Sequence, residues 1–241
     1  MKNKSISVFL PTYNEEENIK AAVTAIQKYL KKQFSDYEII VINDGSTDKT
    51  EEIVKGLIVQ DKKIKLINHK KNLGYGAALR SGFSNASKDL IFYTDADSQF
   101  DIHDLDKLLP LVNSYDIISG YRIKRQDPLM RIFIAATYNV IIKTLFDLPV
   151  RDIDASFKLY KREILDNLTL KANTGLIDAE VLIKARKKGY RIGQIGVNHY
   201  PRVNGRTIYE VGNRNKIFAF VRPAVVTDIL TEIRNLWREL R

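Results

Sequence analysis

The sequence predicts an α/β protein whose mostly parallel central sheet carries helices on both faces. Between Ser5 and Tyr121, short apolar runs alternate with segments of helical spacing. The runs, "SISVFLP", "YEIIVIN", "IKLINH", "DLIFYTD" and "YDIISGY", are nearly continuous in apolar residues. Strands of this kind are typical of parallel sheets that are buried on both faces.

The segments between these strands predict helices. The first has apolar residues at Ile19, Val23, Ile26 and Leu30, the spacing of one helix face. Residues 44–60 and 74–86 predict two more helices. After residue 121 the pattern predicts an amphipathic helix over 127–150, a strand and helix over 154–165, a helix over 178–189 and a strand over 190–201. The tail, residues 209–241, is predicted to be an amphipathic helical segment.

Composition excludes several classes of protein. The 241 residues are 44% hydrophobic and 28% charged, which suits a packed globular core. The absence of cysteine excludes disulfides, thiolate metal sites and a cysteine nucleophile. The apolar run near the start is too short for a signal-peptide core, and no run reaches the ~20 apolar residues that span a bilayer. We therefore expect a soluble or peripheral protein.

The net charge of +10 indicates an anionic partner. Nucleic acid, anionic membranes and phosphorylated substrates are the usual partners of basic proteins. Residues 184–216 hold nine Lys and Arg residues and one acid, Glu210, although a solvated helix face explains the helical lysines equally well. Nucleic acid is disfavoured, because acidic residues follow the predicted strands and no basic motif interleaved with aromatic residues is present.

Polar residues follow four of the predicted strands. In parallel sheets, ligands bind outside the carboxyl ends of the strands. The residues predicted to gather at that rim are 11–15 after the first strand, 43–46 after the second, 95–97 after the fourth and 120–122 after the fifth.

The stretch "YTDADSQFD" at this rim predicts a metal site. It is not a helix-loop-helix calcium loop, because Phe100 stands where glycine is needed and Asp106 where a bidentate glutamate is needed. Asp95 and Asp97 can approach one hard cation, Mg²⁺ or Mn²⁺, together with substrate phosphates, and Gln99 can add a neutral oxygen. The alternative is a turn and helix cap, which aspartates also favour. "NLGYGAALRSG" fails as a dinucleotide fingerprint, because Leu79 replaces the third glycine.

Five segments taken together resemble family-2 glycosyltransferases with the GT-A (Rossmann-like) fold. They are "PTYNEEENI", "VINDGSTDKT", "NLGYGAALRSG", "YTDADSQF" and "SGYR". "DIDASFKLYKREIL" and "HYPRVNGRT" resemble the polyprenyl-phosphate branch, typified by dolichyl-phosphate mannose synthase. The resemblance covers residues 5–207. It implies a catalytic domain over 1–208, with a nucleotide and metal half to about 122, an acceptor half over 123–208, and the helical tail over 209–241.

The resemblance also implies roles for individual residues. The nucleotide pocket would be lined by Pro11, Tyr13, Glu15, Asp44, Asp95 and Ala96, and the metal held by Asp95, Asp97 and Gln99. The catalytic residues would be Asp97, Arg122, Arg131 and Arg202. The acceptor phosphate would be held by Arg131, Asp154, Arg206 and Thr207, although Asp154 could equally cap a turn. The chain departs from the family pattern at Asn43, where a second acid is usual, and at Tyr121, where a small residue is usual.

The activity implied is inverting transfer of a hexose from a GDP- or UDP-sugar to a polyprenyl phosphate, with Mg²⁺ or Mn²⁺. A phosphate nucleophile needs no strong general base, which explains why no catalytic histidine is obvious. His69, His103 and His199 lie outside the rim motifs and are interpreted as structural or solvated. We expect a peripheral protein on the cytoplasmic face of a membrane, with helix 128–146 and the tail contacting lipid, packing on the domain or forming a dimer. A membrane-anchoring partner protein or a homo-oligomer is also possible. The rival activity is transfer to a soluble or glycan hydroxyl, with Glu180 or Asp154 as base; a non-catalytic binding module is the third alternative.

Overall fold

The computed structural model describes residues 4–123, 129–202 and 223–240, without the side chains of residues 129–131 and 223–225. Its strands are β1 (Ile6–Thr12), β2 (Tyr37–Asn43), β3 (Ile64–Asn68), β4 (Leu90–Thr94), β5 (Ile117–Ile123), β6 (Phe157–Lys161) and β7 (Ile192–Asn198). Its α-helices are α1 (Ile19–Gln33), α2 (Thr50–Gln60), α3 (Tyr75–Asn85), α4 (Leu105–Leu108), α5 (Leu129–Phe146), α6 (Arg162–Asp166), α7 (Leu176–Lys187) and α8 (Pro223–Glu239). Short 3₁₀ turns, Ile102–Asp104 and Leu109–Asn113, flank α4.

The strands form one sheet in the order β3-β2-β1-β4-β6-β5-β7. Every strand except β6 runs in the same direction, because β1, β2, β3 and β4 pair in parallel, β5 pairs in parallel with β7, and β6 pairs antiparallel with both β4 and β5. The predicted mostly parallel α/β sheet is confirmed. The sequence did not indicate that β6 is inserted between β4 and β5 in the opposite direction.

Two apolar cores lie on the two faces of this sheet. Alternate residues of β1 divide between them: Val8 and Leu10 pack with α1 and α2 on one face, and Phe9 packs with α3 and α7 on the other. This alternation follows from the two-residue period of a strand. The covered faces leave the carboxyl ends of the parallel strands as the open rim of the sheet.

The tail helix α8 packs on the second core. Ile233 and Leu236 are buried there. Glu232 accepts hydrogen bonds from the backbone N–H of Asn173 at 2.8 Å and from the hydroxyl of Thr174 at 2.6 Å. These contacts fix α8 against the loop that leads into α7.

In the part of the chain that the structure describes, no helix combines the length and the apolar character needed to cross a bilayer.

Candidate active site

The loops that follow β1 and β2 are bonded to each other at the rim. The side chain of Asn14 accepts from the backbone N–H of Thr47 at 2.8 Å, and the N–H of Glu15 donates to the hydroxyl of Thr50 at 2.9 Å. Asn14 has a positive φ of 54°, a conformation that asparagine tolerates better than most residues. The rim segment that contains Tyr13 and Glu15 therefore has a fixed backbone.

Asp44, at the end of β2, organises the third loop. Its carboxylate accepts from the backbone N–H groups of Leu73 and Gly74, both at 2.9 Å, and contacts Nδ1 of His69 at 2.6 Å. The other ring nitrogen of His69 lies 2.8 Å from the hydroxyl of Ser81. The histidine is structural, as expected. Although His69 lies outside the rim motifs of the sequence, the chain that leaves β3 brings its side chain to Asp44.

Close packing requires glycine at Gly76, the second glycine of "GYG". A Cβ on Gly76 would lie 2.4 Å from the carbonyl oxygen of Ala172, closer than any side chain allows. The N–H of Gly76 also donates to the carbonyl of Asn173 at 2.9 Å. The segment therefore brings α3 against the loop before α7, which agrees with the rejection of a dinucleotide fingerprint.

Asp95 and Asp97 form a pair of largely buried carboxylates directly after β4. Asp95 accepts from the hydroxyl of Ser156 at 2.5 Å and from that of Tyr75 at 3.3 Å. Burial, and then the negative charge of Asp97, raises the pKa of Asp95 to about 7. In a low-dielectric site, each of two neighbouring carboxylates disfavours the ionisation of the other. A bound cation would offset this repulsion. This donor set fits a hard divalent cation.

A metal at this pair would draw its remaining ligands from elsewhere. Within residues 4–123, 129–202 and 223–240, no three His, Asp or Glu side chains cluster as a metal-binding group. Mg²⁺ and Mn²⁺ are commonly held by one or two carboxylates with substrate phosphates and water, so two carboxylates are sufficient. Gln99 lies beside the pair, with its backbone N–H 3.1 Å from Asp97 Oδ1.

Arg202 supplies the positive charge at this end of the sheet. Its Nη1 lies 3.3 Å from Asp97 Oδ2, and its Nη2 forms an ion pair with Glu15. Burial raises the pKa of Glu15. Hydrogen bonds from Asn18 and Arg202 lower this pKa, but by less than burial raises it. One guanidinium thus joins the loop after β1 to the loop after β4.

The position of Arg202 is fixed by the preceding residues. Phe100 and His199 form an isolated β-bridge. The N–H of Tyr200 donates to the carbonyl of Gln99 at 2.9 Å, and the Gln99 side chain donates back to the carbonyl of Tyr200 at 3.1 Å. Gln99 therefore anchors the segment that carries Arg202, whatever it contributes to a metal.

Arg122 holds a different part of the rim. Its Nε and Nη2 donate to the two carboxylate oxygens of Asp152, each at 2.7 Å. This bidentate pair is nearly buried, with 6% and 13% of the two side chains exposed. It fixes the segment 152–156 beside the end of β5. The sequence did not indicate Asp152, and the predicted contact of Arg122 with a phosphate stays a prediction.

Asp154 lies in that fixed segment. Burial, and then the negative charges of Asp178 and Asp152, raises the pKa of Asp154 to about 7. Glu180, the other residue considered as a base, accepts from the N–H groups of Lys171 at 3.0 Å and Ala172 at 2.8 Å and pairs with Lys184 at 2.7 Å. Its contacts make it a support for the loop before α7.

Three further residues reach the site without having been predicted, namely Ser156, Lys158 and Asp178. Thr94 pairs with Phe157 because β6 runs antiparallel to β4, so the residues before β6 lie at the same rim as the residues after β4. Lys158 is completely buried and pairs with Asp178 of α7 at 2.7 Å. The signal that the sequence offered was a lysine directly between two apolar residues, Phe157 and Leu159, both of which are buried in β6.

The remaining predicted residues divide into two groups. Pro11 and Ala96 are buried at the rim, and Tyr13 is half-buried there. The side chain of Arg131 and the whole of Arg206 and Thr207 lie outside the described residues. Their contact with an acceptor phosphate stays a prediction.

Comparison with known sequences gives a consistent result. The model for glycosyl transferase family 2 matches residues 7–169. The chain is 30% identical over 209 residues to glycosyltransferase AglD of Haloferax volcanii, covering 82% of this chain and 33% of the relative. It is 31% identical over 176 residues to putative glycosyltransferase CsbB of Bacillus subtilis, covering 73% and 53%. It is 29% identical over 210 residues to dolichyl-phosphate beta-glucosyltransferase ALG5A of Trichomonas vaginalis, covering 80% and 64%. The match thus spans between a third and two thirds of the length of these relatives.

Solved structures share the fold. Glucosyl-3-phosphoglycerate synthase from Mycobacterium tuberculosis, in complex with Mn²⁺, uridine diphosphate and glucosyl-3-phosphoglycerate, superposes with a TM-score of 0.64 at 18% identity, covering 99% of this chain and 77% of that one. The same synthase in complex with phosphoglyceric acid gives a TM-score of 0.68 at 18% identity, covering 99% and 78%.

The family match covers most of the chain, and the matched region includes the rim residues that follow β1, β2, β4 and β5. The chain belongs to glycosyl transferase family 2.

Proposed function

We propose that this glycosyltransferase moves a hexose from a nucleotide-diphosphate sugar to a polyprenyl phosphate and forms a polyprenyl-monophosphate sugar. The observation that carries the proposal is the meeting of opposite charges at one rim. The carboxylates of Asp95 and Asp97 can hold a cation for the donor diphosphate, and Arg202, 3.3 Å from Asp97, can face the phosphates of both substrates.

On the donor side, the rim offers a pocket for the nucleoside and a place for the metal. Tyr13, Glu15 and Asp44 are the residues that would line the nucleoside pocket. The loops that carry them are joined by hydrogen bonds from backbone N–H groups to the side chains of Asn14 and Asp44. Mg²⁺ or Mn²⁺ at Asp95 and Asp97 would neutralise the charge that develops on the leaving diphosphate. The solved synthase of the same fold contains Mn²⁺ and uridine diphosphate, which supports a metal-dependent nucleotide-sugar donor.

On the acceptor side, the chemistry favours a phosphate. A phosphate monoester is mostly dianionic near neutral pH, because its second pKa is about 6, and it attacks without a strong general base. Glu180 is fully used by backbone and lysine contacts, which argues against it as a base for a hydroxyl acceptor. The attack would invert the anomeric carbon, with Arg202 and the predicted Arg131 and Arg206 holding the acceptor. The similarity to a dolichyl-phosphate glucosyltransferase supports a lipid phosphate.

A lipid acceptor requires a surface that reaches a membrane. Helix α5, which follows β5 and the rim, exposes an apolar stripe that includes Phe133 (68% exposed), Val140 (62%) and Leu145 (48%). Val226 and Leu230 of α8 are also exposed, one helical turn apart. Apolar faces of this kind bury in the lipid interface when basic residues lie beside them. Lys143 lies in the last turn of α5, and Arg151 follows the helix. We propose that the protein works at the cytoplasmic face of a membrane.

The test is a transfer assay with purified protein. A panel of radiolabelled GDP- and UDP-sugars is offered with Mn²⁺ or Mg²⁺ and a polyprenyl phosphate in detergent, with the free polyprenol as the acceptor control. We expect label in the lipid phase only with the phosphate. The variant Asp97→Asn should reduce the rate by ~10²–10³-fold. The control Asp166→Asn, an equal change at an exposed residue of α6, should not.

Other outcomes decide against the proposal. Transfer to the free polyprenol, or to a soluble or glycan acceptor in place of the lipid phosphate, would favour the rival hydroxyl-acceptor activity. Label transfer that is unchanged when the metal is chelated would remove the proposed role of Asp95 and Asp97 in metal binding.

A further inference from the structure

Ser156 makes a contact with Asp95 that the proposed function does not require. The Ser156 hydroxyl donates to Asp95 Oδ2 at 2.5 Å, and 6% of the serine is exposed. The other carboxylate oxygen, Oδ1, accepts a longer bond from the Tyr75 hydroxyl at 3.3 Å. Each carboxylate oxygen accepts more than one bond, so a ligand can still bind. A hydrogen bond behind a ligating carboxylate is the usual way in which a protein fixes the orientation of that carboxylate.

The backbone at Ser156 is in turn held by Lys158. The ammonium of Lys158 donates to the carbonyl oxygen of Ala155, the preceding residue, at 2.5 Å. It also donates to Asp178 at 2.7 Å and to the Tyr93 hydroxyl at 3.1 Å. A continuous path of contacts therefore runs from α7, through Lys158 and the 155–156 peptide, to Asp95.

The position of the Lys158–Asp178 ion pair beside the rim is not explained by stabilisation of the core. Two charges buried in a protein interior are often no more stable than apolar residues of the same volume. Here the buried cation is directly opposite Tyr93 in the β4–β6 register, two residues before Asp95. Its charge also lowers the pKa of Asp154, which burial and the negative charges of Asp178 and Asp152 raise. The pair is therefore placed where it acts on the rim.

We propose that Ser156, held in place by Lys158 and Asp178, is a positioning residue for Asp95, and that it sets the affinity of the site for a divalent cation with a nucleoside diphosphate. This inference rests on the proposed role of Asp95 as a metal ligand. Ser156 acts through Asp95 and touches no substrate.

The test measures binding of Mn²⁺ by electron paramagnetic resonance, with Mn²⁺ alone and with UDP or GDP present. We expect Ser156→Ala to weaken Mn²⁺ binding about tenfold, at the low end of the effect of removing such an outer partner. Ser156→Thr retains the hydroxyl and should restore most of the affinity. The control is Ser7→Ala, which removes a similar buried bond, 2.6 Å from the Ser7 hydroxyl to Glu38, at the opposite end of the sheet. It should leave Mn²⁺ binding unchanged.

A double-mutant comparison separates positioning from a general loss of structure. If Ser156 acts through Asp95, Ser156→Ala should have little further effect on Mn²⁺ binding in an Asp95→Asn background. An equal loss in both backgrounds, or an affinity unchanged in the single variant, overturns the proposal. The charge-balanced variant Lys158→Met/Asp178→Asn should weaken Mn²⁺ binding in the same sense as Ser156→Ala, and wild-type affinity in it overturns the role given to Lys158. Failure of the wild type to bind Mn²⁺ with either nucleotide would instead overturn the proposed metal site itself.

Discussion

The ion pair between Lys158 and Asp178 makes a strong prediction about stability. Lys158 is fully buried, 5% of the Asp178 side chain is exposed, and the two atoms that join them are 2.7 Å apart. Replacing Lys158 with Met keeps most of the volume but leaves a carboxylate buried without its cation. Removing one partner of a buried pair typically costs about 3–5 kcal/mol, and the loss of the bond to the Ala155 carbonyl adds to this. We expect Lys158→Met to lower the free energy of unfolding by about 4 kcal/mol.

The assay is urea denaturation at pH 7, with the two single variants and the double variant Lys158→Met/Asp178→Asn. The double variant removes both charges, so its loss of stability should be smaller than that of Lys158→Met by about 2 kcal/mol or more. A loss below about 1 kcal/mol in Lys158→Met, or a double variant whose losses simply add, would refute the reasoning that the two charges depend on each other.

Three further predictions follow from contacts around the sheet. Burial alone would raise the pKa of Glu38, but hydrogen bonds from Lys65, Ser7 and Ser87 outweigh it and lower that pKa from 4.5 to about 2. The ionised carboxylate thus contributes about 3 kcal/mol of stability above pH 4.5, and this contribution is lost as the pH falls towards 2. Glu38→Gln should lack this pH-dependent contribution in acid titrations followed by circular dichroism. Equal acid sensitivity of the variant and the wild type would contradict the prediction. Gly76→Ala places a Cβ 2.4 Å from the Ala172 carbonyl and should lower the melting temperature by several degrees, whereas Gly56→Ala in α2, with open space around it, should not. Arg202→Gln should weaken binding of UDP or GDP with Mn²⁺ about tenfold in calorimetry, because the phosphates lose a charged donor; unchanged affinity would contradict its place at the donor site.

Much of the fold could be predicted from the sequence because local patterns determine it. The apolar strands and the helices between them follow from periodicity, and the carboxyl ends of parallel strands must share one edge. Asp95, Asp97 and Glu15 could therefore be assigned to one rim without a structure. Arg202 was assigned to the site by resemblance, and the structure places it against Asp97 and Glu15.

The parts that were not predicted depend on strand order and direction. Periodicity does not reveal that β6 enters the sheet antiparallel between β4 and β5. That insertion brings Ser156 to Asp95, although they are 61 positions apart in the chain. Asp152 and Asp178 were missed for the same reason, since their partners, Arg122 and Lys158, lie on other elements. Acidic residues of this kind have no local signature that separates them from surface charges.

The proposed acceptor is a lipid phosphate. The most direct measurement is nuclear magnetic resonance of the purified product, made with the donor that labels the lipid phase, to determine which atom the anomeric carbon is attached to. We expect coupling between the anomeric proton and phosphorus-31, because the sugar would be joined to the lipid through a phosphodiester. A product in which the sugar is attached to a hydroxyl oxygen, with the polyprenyl phosphate unchanged, would contradict it.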